Sequence, residues 1–419
     1  MNLSIDAHRL LAELHTLATF SEPAAEGAIQ PGDTAVTRIV FSEHDREART
    51  WLKQRATEAG LEIREDAVGN TFFRWTGSSP ELPAIATGSH IDAIPNAGMY
   101  DGTVGVLGGL EAIRALKASG FTPKRSIELI LFTSEEPTRF GIGCLGSRIL
   151  SGTLTPESAA NLRDKDDLTL DQARTAAGFH GELTSLNPGH YAHFVELHIE
   201  QGPLLEREQL PIGIVTAIAA PASSRITIHG EGGHAGALLM PYRRDALAAA
   251  AEIILAVESA ALATGVIDTV ATVGMCDVFP GNVNSVPSRV RLSLDMRDID
   301  EARRNAVLRA IAHACDTTAA KRHVTITTEL LNADAPAACS PEIVEAIEKA
   351  CVDDCIAYKR MVSRAYHDTT FMARLCPVAM IFIPCRAGVS HRPDEYSTPE
   401  SIAQGTRILA KTLATLSTT

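Results

Sequence analysis

The stretch from Ala84 to Glu136 leaves this chain few choices of architecture. The short apolar run from Pro83 to Thr87, closed by Gly88, reads as a buried strand. Val106, Leu110 and Ile113 then recur at helical spacing, and SIELILFTS, Ser126 to Ser134, reads as a second strand. A right-handed crossover makes the two strands parallel neighbours and brings their carboxyl ends to one rim of the sheet, where open α/β sheets bind ligands. His90 and Asp92 follow the first strand and project to the same side, because side chains alternate along an extended chain. Asp101 precedes the helix. Glu135 and Glu136 follow the second strand.

Bare carboxylates gathered at one rim repel each other and raise one another's pKa. Shared protons or a pair of divalent cations would relieve that repulsion. Singly, these residues have ordinary readings, since Asp101 could cap the helix and the two glutamates could open a solvated loop. Together they point to a metal site.

A chain of 419 residues suggests two domains, and its 45% hydrophobic content can fill two cores. The formal net charge of -13 argues against nucleic acid or an anionic membrane as partner, because phosphate-binding surfaces need clustered Lys and Arg. No apolar run reaches the roughly 18–20 residues of a membrane span. The amino terminus also lacks a basic stretch followed by an apolar one, so a cytoplasmic location is expected. The 8 cysteines are too sparse for a disulfide scaffold. Cys351 and Cys355 lie four apart on an expected helix, Pro341 to Cys355, and read as ordinary helix residues.

Along the rest of the chain, a helix is expected within residues 1–20, followed by a Pro, Gly and Ala-rich loop from Ser21 to Asp33 and a helix from Glu43 to Gly60. Gly141, Gly143 and Gly146 match the spelling G-x-G-x-x-G, but two acids and a proline separate them from the strand, so a dinucleotide site is rejected. FVELHIEQGP alternates, with Val195, Leu197 and Ile199 facing one way and Glu196, His198 and Glu200 the other. On a polar strand face His198 could be an ordinary hydrogen-bonded histidine, but its place at a strand end favours a ligand. From about Ile214 to Leu330 the elements run strand, helix, strand, strand, helix, strand, the split βαβ pattern of a ferredoxin-like domain. His391 lies in a loop after the apolar strand Val378 to Ile383. Candidate ligands at four strand ends would complete two metal spheres with room for water.

GSHIDAIPNAGMYDG, FTSEEPTRFGIGCLGSR, ELHIEQGP, GGHAGALLMP, NVNSVPS and SRAYHD are long, ordered spellings that span nearly the whole chain. In these the chain resembles the di-metal amidohydrolases of the aminoacylase and carboxypeptidase superfamily, and more narrowly their hydantoinase/carbamoylase branch. Three departures from the branch's usual wording, GSHIDAIP, HAGALLMP and the tyrosine in AYHD, are similar to the members that act on ureidoglycolate.

The resemblance implies an α/β fold: a mixed-sheet catalytic domain of the di-metal peptidase type, residues 1–213 and 331–419, interrupted by a ferredoxin-like lid and dimerisation domain, residues 214–330. It implies two divalent ions per subunit, with Mn²⁺ favoured; the same ligands would accept Zn²⁺ or Co²⁺. His90 and His198 would bind one ion, Glu136 and His391 the other, and Asp101 would bridge them. Asp92 would orient His90, and Glu135 would be the general base. His234 would reach the partner subunit's active site in a homodimer and stabilise an oxyanion, although a structural histidine in a Gly-rich loop is the plainer reading. Asn284 and Arg297 would hold a substrate carboxylate, with Gln201, Tyr366 and His367 as further substrate contacts. Arg297 also has acidic neighbours in DMRDID that could simply pair with it.

The implied activity is hydrolysis of a ureido C–N bond in a small ureido acid, ureidoglycolate to glyoxylate, ammonia and carbon dioxide in purine-derived ureide breakdown. Allantoate and N-carbamoyl-L-amino acids are the nearest alternative substrates. A plain exopeptidase is a weaker one. A binding protein on the same scaffold would need no base, so Glu135 argues against it.

Overall fold

The computed structural model describes residues 3–24 and 33–418 of the chain. Most of the loop expected from Ser21 to Asp33, residues 25–32, lies outside the described residues. The chain divides into two compact units. The first comprises Met1–Thr216, Ala338–Ser363 and His367–Thr419, and the second Ala217–Ala337 with Arg364–Tyr366.

Among the described residues, the first unit is built on a nine-stranded mixed sheet. Its centre is made by β1 (Ala84–His90), β2 (Ile127–Phe132), β3 (Tyr191–Ile199) and β4 (Val378–Ile383), in the spatial order β4, β3, β1, β2 and all parallel. Thr71–Trp75 joins β2 antiparallel, and Ile212–Ile218 joins β4 antiparallel. The unit is therefore a mixed α/β structure whose four parallel neighbours end at the same rim. One face of the sheet packs Ala84, Ala86, Ile130, Phe132 and Phe194 against Met372 and Leu375.

The other face takes α1 (Thr103–Ala118), a helix rich in glycine. A Cβ added to Gly105 would lie 2.4 Å from the carbonyl oxygen of Leu197. Helix-interior glycine costs roughly 1 kcal/mol relative to alanine. Here that cost allows helix and sheet to touch, and the contact fixes where Asp101 sits.

β3 departs from the expected alternation of buried and polar faces. Glu196 and His198 are as buried as Val195 and Leu197, because a central strand is covered on both sides. The helix expected to run to Cys355 ends at Asp353, and Cys355 is exposed with φ at 53°.

The second unit runs strand, helix, strand, strand, helix, strand: Ala220–His229, Ala246–Leu262, Val270–Phe279, Arg289–Asp298, Glu301–Arg322 and Thr325–Ala333. Its strands pair antiparallel, with Arg289–Asp298 and Thr325–Ala333 flanking Ala220–His229 and Val270–Phe279 at one edge. That is the split βαβ arrangement. Alternate strand residues Ile226, Ile228, Val290, Leu292 and Leu294 face the two helices, which contribute Ala249, Ile253, Val257, Val307 and Ile311 to the same core.

Candidate metal centre

Four parallel strand ends supply the centre. β1 ends in His90, and the turn that follows is held by the buried Arg38, whose guanidinium donates to the carbonyls of Ile91, Leu17 and Phe20. β2 leads through Ser134, with φ at 57°, to Glu135 and Glu136. Asp92 lies between these segments. Its carboxylate accepts from the amides of Glu135 (3.2 Å) and Glu136 (3.0 Å) and stands 3.6 Å from His90 Nδ1. The closer partner of that nitrogen is the backbone carbonyl of Asp92, at 3.0 Å.

That contact decides the chemistry of His90. A carbonyl only accepts, so Nδ1 carries a hydrogen and Nε2 is the nitrogen turned inward, the one available to a cation. His198 is set the same way, with Nδ1 2.9 Å from the Ile199 carbonyl and Nε2 accepting from the Gly102 amide at 3.1 Å. Gly102 has φ at 67°, and a Cβ there would come within 2.4 Å of the His90 ring, so the position admits only glycine. Asp101 does not cap α1; the residue at the helix start is Gly102, which has no side chain to do so. Instead Asp101 Oδ1 lies 3.1 Å from His198 Nε2 and 3.7 Å from His90 Nε2, while Oδ2 lies 3.2 Å from His391 Nε2. His391 Nε2 is also 3.2 Å from Glu136 Oε1.

Imidazole nitrogens thus face carboxylate oxygens on both sides of Asp101. In two groups, His90 with Asp101 and His198, and Asp101 with Glu136 and His391, one ligand atom per residue lies within 4.8 Å of the others. Such sets of acceptors need a cation or shared protons between them. Metal-free, protons fill that role: the Asp101 and Glu136 carboxylates push His391 up to about 11. The donor set fits divalent cations that take imidazole and carboxylate ligands. Glu196, His198 and His367 also approach one another, but the Glu196 oxygens are taken by Ser89 at 2.7 Å and by Thr369.

Glu135 stands apart from both groups. Its Oε2 lies 3.7 Å from His90 Nε2, and its Oε1 accepts from the Cys144 thiol at 3.5 Å. Burial raises its pKa well above the usual carboxylate range; His90 opposes this, and Glu136, Asp368 and Asp101 add to it.

The expected substrate contacts divide between the units. In the first, Gln201 Nε2 donates to Asp101 Oδ2 at 2.7 Å, and its buried Oε1 has no partner among the described residues. His367 packs edge-on against His198 at 4.5 Å, with Nε2 3.0 Å from Ser363 Oγ. In the second, the short pairing of Gly233–His234 with Ser285–Val286 sets His234 beside Asn284, whose carbonyl accepts from the Ala235 amide. His234 is exposed, and its Nδ1 accepts from the amides of Gly236 (3.1 Å) and Ala237 (3.2 Å), so its hydrogen sits on Nε2. Arg297 pairs with Asp295 at 2.8 Å, as its acidic neighbours led one to expect. Tyr366 donates to Asp334 at 3.0 Å.

Four residues in the first unit escaped the sequence reading. Ser390 and Glu395 hold Asp101, while Cys144 and Asp368 lie near Glu135. Asp368 is fully buried, accepts from Ser147, and is pushed up to about 8 by burial, with Glu196 adding to the shift. Nothing in their sequence spacing marks these four.

Residues 86–415 match the model of peptidase family M20/M25/M40. The chain is 50% identical to the ureidoglycolate hydrolase of Arabidopsis thaliana, over 99% of this chain and 88% of that protein. It is 41% identical to the N-carbamoyl-L-amino acid amidohydrolase of Geobacillus stearothermophilus, over 90% of this chain and 92% of that one. A crystal structure of AtUAH in complex with glyoxylate superposes with a TM-score of 0.87 at 50% identity, covering 99% of this chain and 98% of that chain.

Proposed function

We propose, for a chain that belongs to peptidase family M20/M25/M40, an amidohydrolase acting on the ureido C–N bond of ureidoglycolate and yielding glyoxylate, ammonia and carbon dioxide. The observation that carries the hydrolytic reading is Asp101, which turns one oxygen to His198 and the other to His391 beside a glutamate that belongs to neither ligand group. The substrate rests on the likeness to the Arabidopsis enzyme and to the structure that holds glyoxylate.

His90 and His198 would hold one divalent ion, Glu136 and His391 a second, and Asp101 both, with Mn²⁺ the favoured metal. Such ions supply Lewis acidity, bringing the pKa of a water from about 15.7 towards 7. Glu135 takes the water's proton and returns it to the departing nitrogen, without which a ureido nitrogen leaves poorly. Burial shifts Glu135 towards its protonated form, the direction that taking up the proton requires. The Cys144 thiol donates to one of its two oxygens. Asp92 orients His90 and, through the Glu135 and Glu136 amides, ties the base to its neighbouring ligand.

His234 donates Nε2–H to the oxyanion, which the tautomer set by Gly236 and Ala237 supports. We assign it to the site of a second copy in a homodimer. Asn284 and Arg297 take the substrate carboxylate, and Arg297 would have to exchange Asp295 for it. Gln201 offers its unpaired Oε1 to a substrate N–H, and His367 and Tyr366 are further candidate substrate contacts. Among the described residues no helix is long and apolar enough to cross a membrane, which is compatible with a cytoplasmic enzyme.

The test is ammonia release by Mn²⁺-reconstituted protein from ureidoglycolate, allantoate and an N-carbamoyl-L-amino acid. Ureidoglycolate is expected to have the highest kcat/KM. A higher value for the N-carbamoyl amino acid would overturn the substrate, and release from none of the three would overturn the activity.

A further inference from the structure

The two candidate ligand groups are anchored differently. His90 and His198 are 2% and 1% exposed, sit at the ends of adjacent strands, and have Nδ1 fixed by a backbone carbonyl. The His391 side chain is 46% exposed, on a residue with φ at 60° in the loop after β4. Its own contacts are with the ligands it would share, so something else must hold its loop in place.

Glu395 and Ser390 meet that need. Glu395 is 4% exposed, and its Oε1 accepts from the amides of Tyr100 (2.8 Å) and Asp101 (3.1 Å), just ahead of α1. Those amides lie before the first helical turn and have no carbonyl of the helix to bond. Ser390 Oγ stands 2.8 Å from Glu395 Oε2 and 2.7 Å from Asp101 Oδ2. Gln201 Nε2 reaches the same Oδ2 at 2.7 Å. The fit of Glu395 is close, since a Cβ on Gly98 would lie 2.3 Å from its Cβ, and Tyr100 meets Tyr396 edge-on at 6.0 Å. The loop that carries His391 is thus fastened to Asp101 at its backbone and at its carboxylate, by residues one before and four after the histidine.

We infer that Glu395 and Ser390 are positioning residues that clamp the His391 loop onto Asp101, so that the ion held by Asp101, Glu136 and His391, which meets the clamp through two ligands, depends on them more than the ion held by His90, Asp101 and His198, which meets it through Asp101 alone. The inference rests on the two-ion reading above. It adds a specific division of labour: strand ends set His90, His198 and Glu136, and a loop clamp sets His391 against the shared Asp101.

The experiment uses the full chain, stripped of metal and titrated with Mn²⁺ by calorimetry, with bound metal counted after dialysis and melting curves run to verify folding. Wild type is expected to bind two ions per subunit. Ser390→Ala and Glu395→Ala are expected to bind one ion about 10–100-fold more weakly, the usual effect of losing a group that supports a ligand, and to weaken the other by clearly less. Glu395→Gln retains an oxygen for the two amides and should fall between wild type and Glu395→Ala. It also serves as the test if the alanine variant fails to fold. Two ions bound as tightly as in wild type by Ser390→Ala and Glu395→Gln would overturn the clamp, and equal weakening of both ions would overturn its selectivity. Fewer than two ions on the wild type would overturn the two-ion reading and the clamp with it, an outcome distinct from the other two.

Discussion

The two units hold their candidate residues in opposite ways. In the first unit His90, Asp92, Asp101, Glu136 and His198 are buried and each is tied by hydrogen bonds or ion pairs within the unit. In the second, His234 and Asn284 are exposed on a short two-stranded pairing, and Arg297 is bound to a partly exposed aspartate. Cation ligands must be held together before the ion arrives, because carboxylates gathered without it repel one another. Groups that meet a substrate need only be presented by a firm scaffold. The first unit therefore invests in anchoring and the second in access, and substitutions in the two should fail differently.

The largest effect is expected at Glu135. Glu135→Gln removes the proton acceptor but no ligand, so kcat should fall by about 10²–10⁴-fold with bound Mn²⁺ unchanged. Turnover near the wild-type rate would make the mechanism wrong, and loss of metal would make Glu135 a ligand. Next comes His234, whose replacement by alanine should lower kcat by about 10²-fold or more and also leave the metal in place. A loss below about tenfold would remove His234 from the chemistry and reduce the second unit's part to binding.

The residues legible in the sequence share one property. His90, Asp92, Asp101, Glu135, Glu136, His198 and His391 lie just past apolar runs or at a helix start, and parallel strands bring such positions to one rim. The arrangement of the second unit was legible for a similar reason, because its strands and helices follow one another in the split βαβ order and its central strand Arg289–Asp298 alternates cleanly. Glu395 could not be read this way. It meets Asp101 across 294 residues of sequence, and its only local signal is an acid in a polar loop. Cys144 and Asp368 support the base from segments whose spacing records nothing about Glu135. β3 carries its polar residues on a face as buried as the apolar one, since a central strand is covered on both sides.

The pH dependence of metal binding separates the units again. In the metal-free protein Asp101 and Glu136 hold the His391 proton up to about 11, above the unfolded value of about 6.5. The sign follows from linkage: this pairing stabilises the metal-free fold fully below pH ~6.5, and the contribution is lost as pH rises through about 11. An ion bound at His391 must displace that proton, so its affinity should fall about tenfold for each unit the pH is lowered. Titration with Mn²⁺ at pH 6, 7 and 8 reads the slope. An affinity independent of pH would exclude His391 as a ligand, whereas His234→Ala should leave the slope as it is.

The smallest effect is expected at Asp295. Its pair with Arg297 is partly exposed on both sides, 33% and 42%, and such pairs contribute about 0–1 kcal/mol. If Arg297 must leave Asp295 to take the substrate carboxylate, Asp295→Asn removes the competitor and lowers KM by up to about fivefold, the equivalent of that energy. The kcat should stay as in wild type, because the interaction is the same in the ground state and the transition state. Arg297→Lys keeps the charge but loses the planar fork and should raise KM. An unchanged KM in both variants would place the carboxylate elsewhere, and a fall in kcat for Asp295→Asn would mean that the pair holds the second unit's own structure rather than competing with substrate.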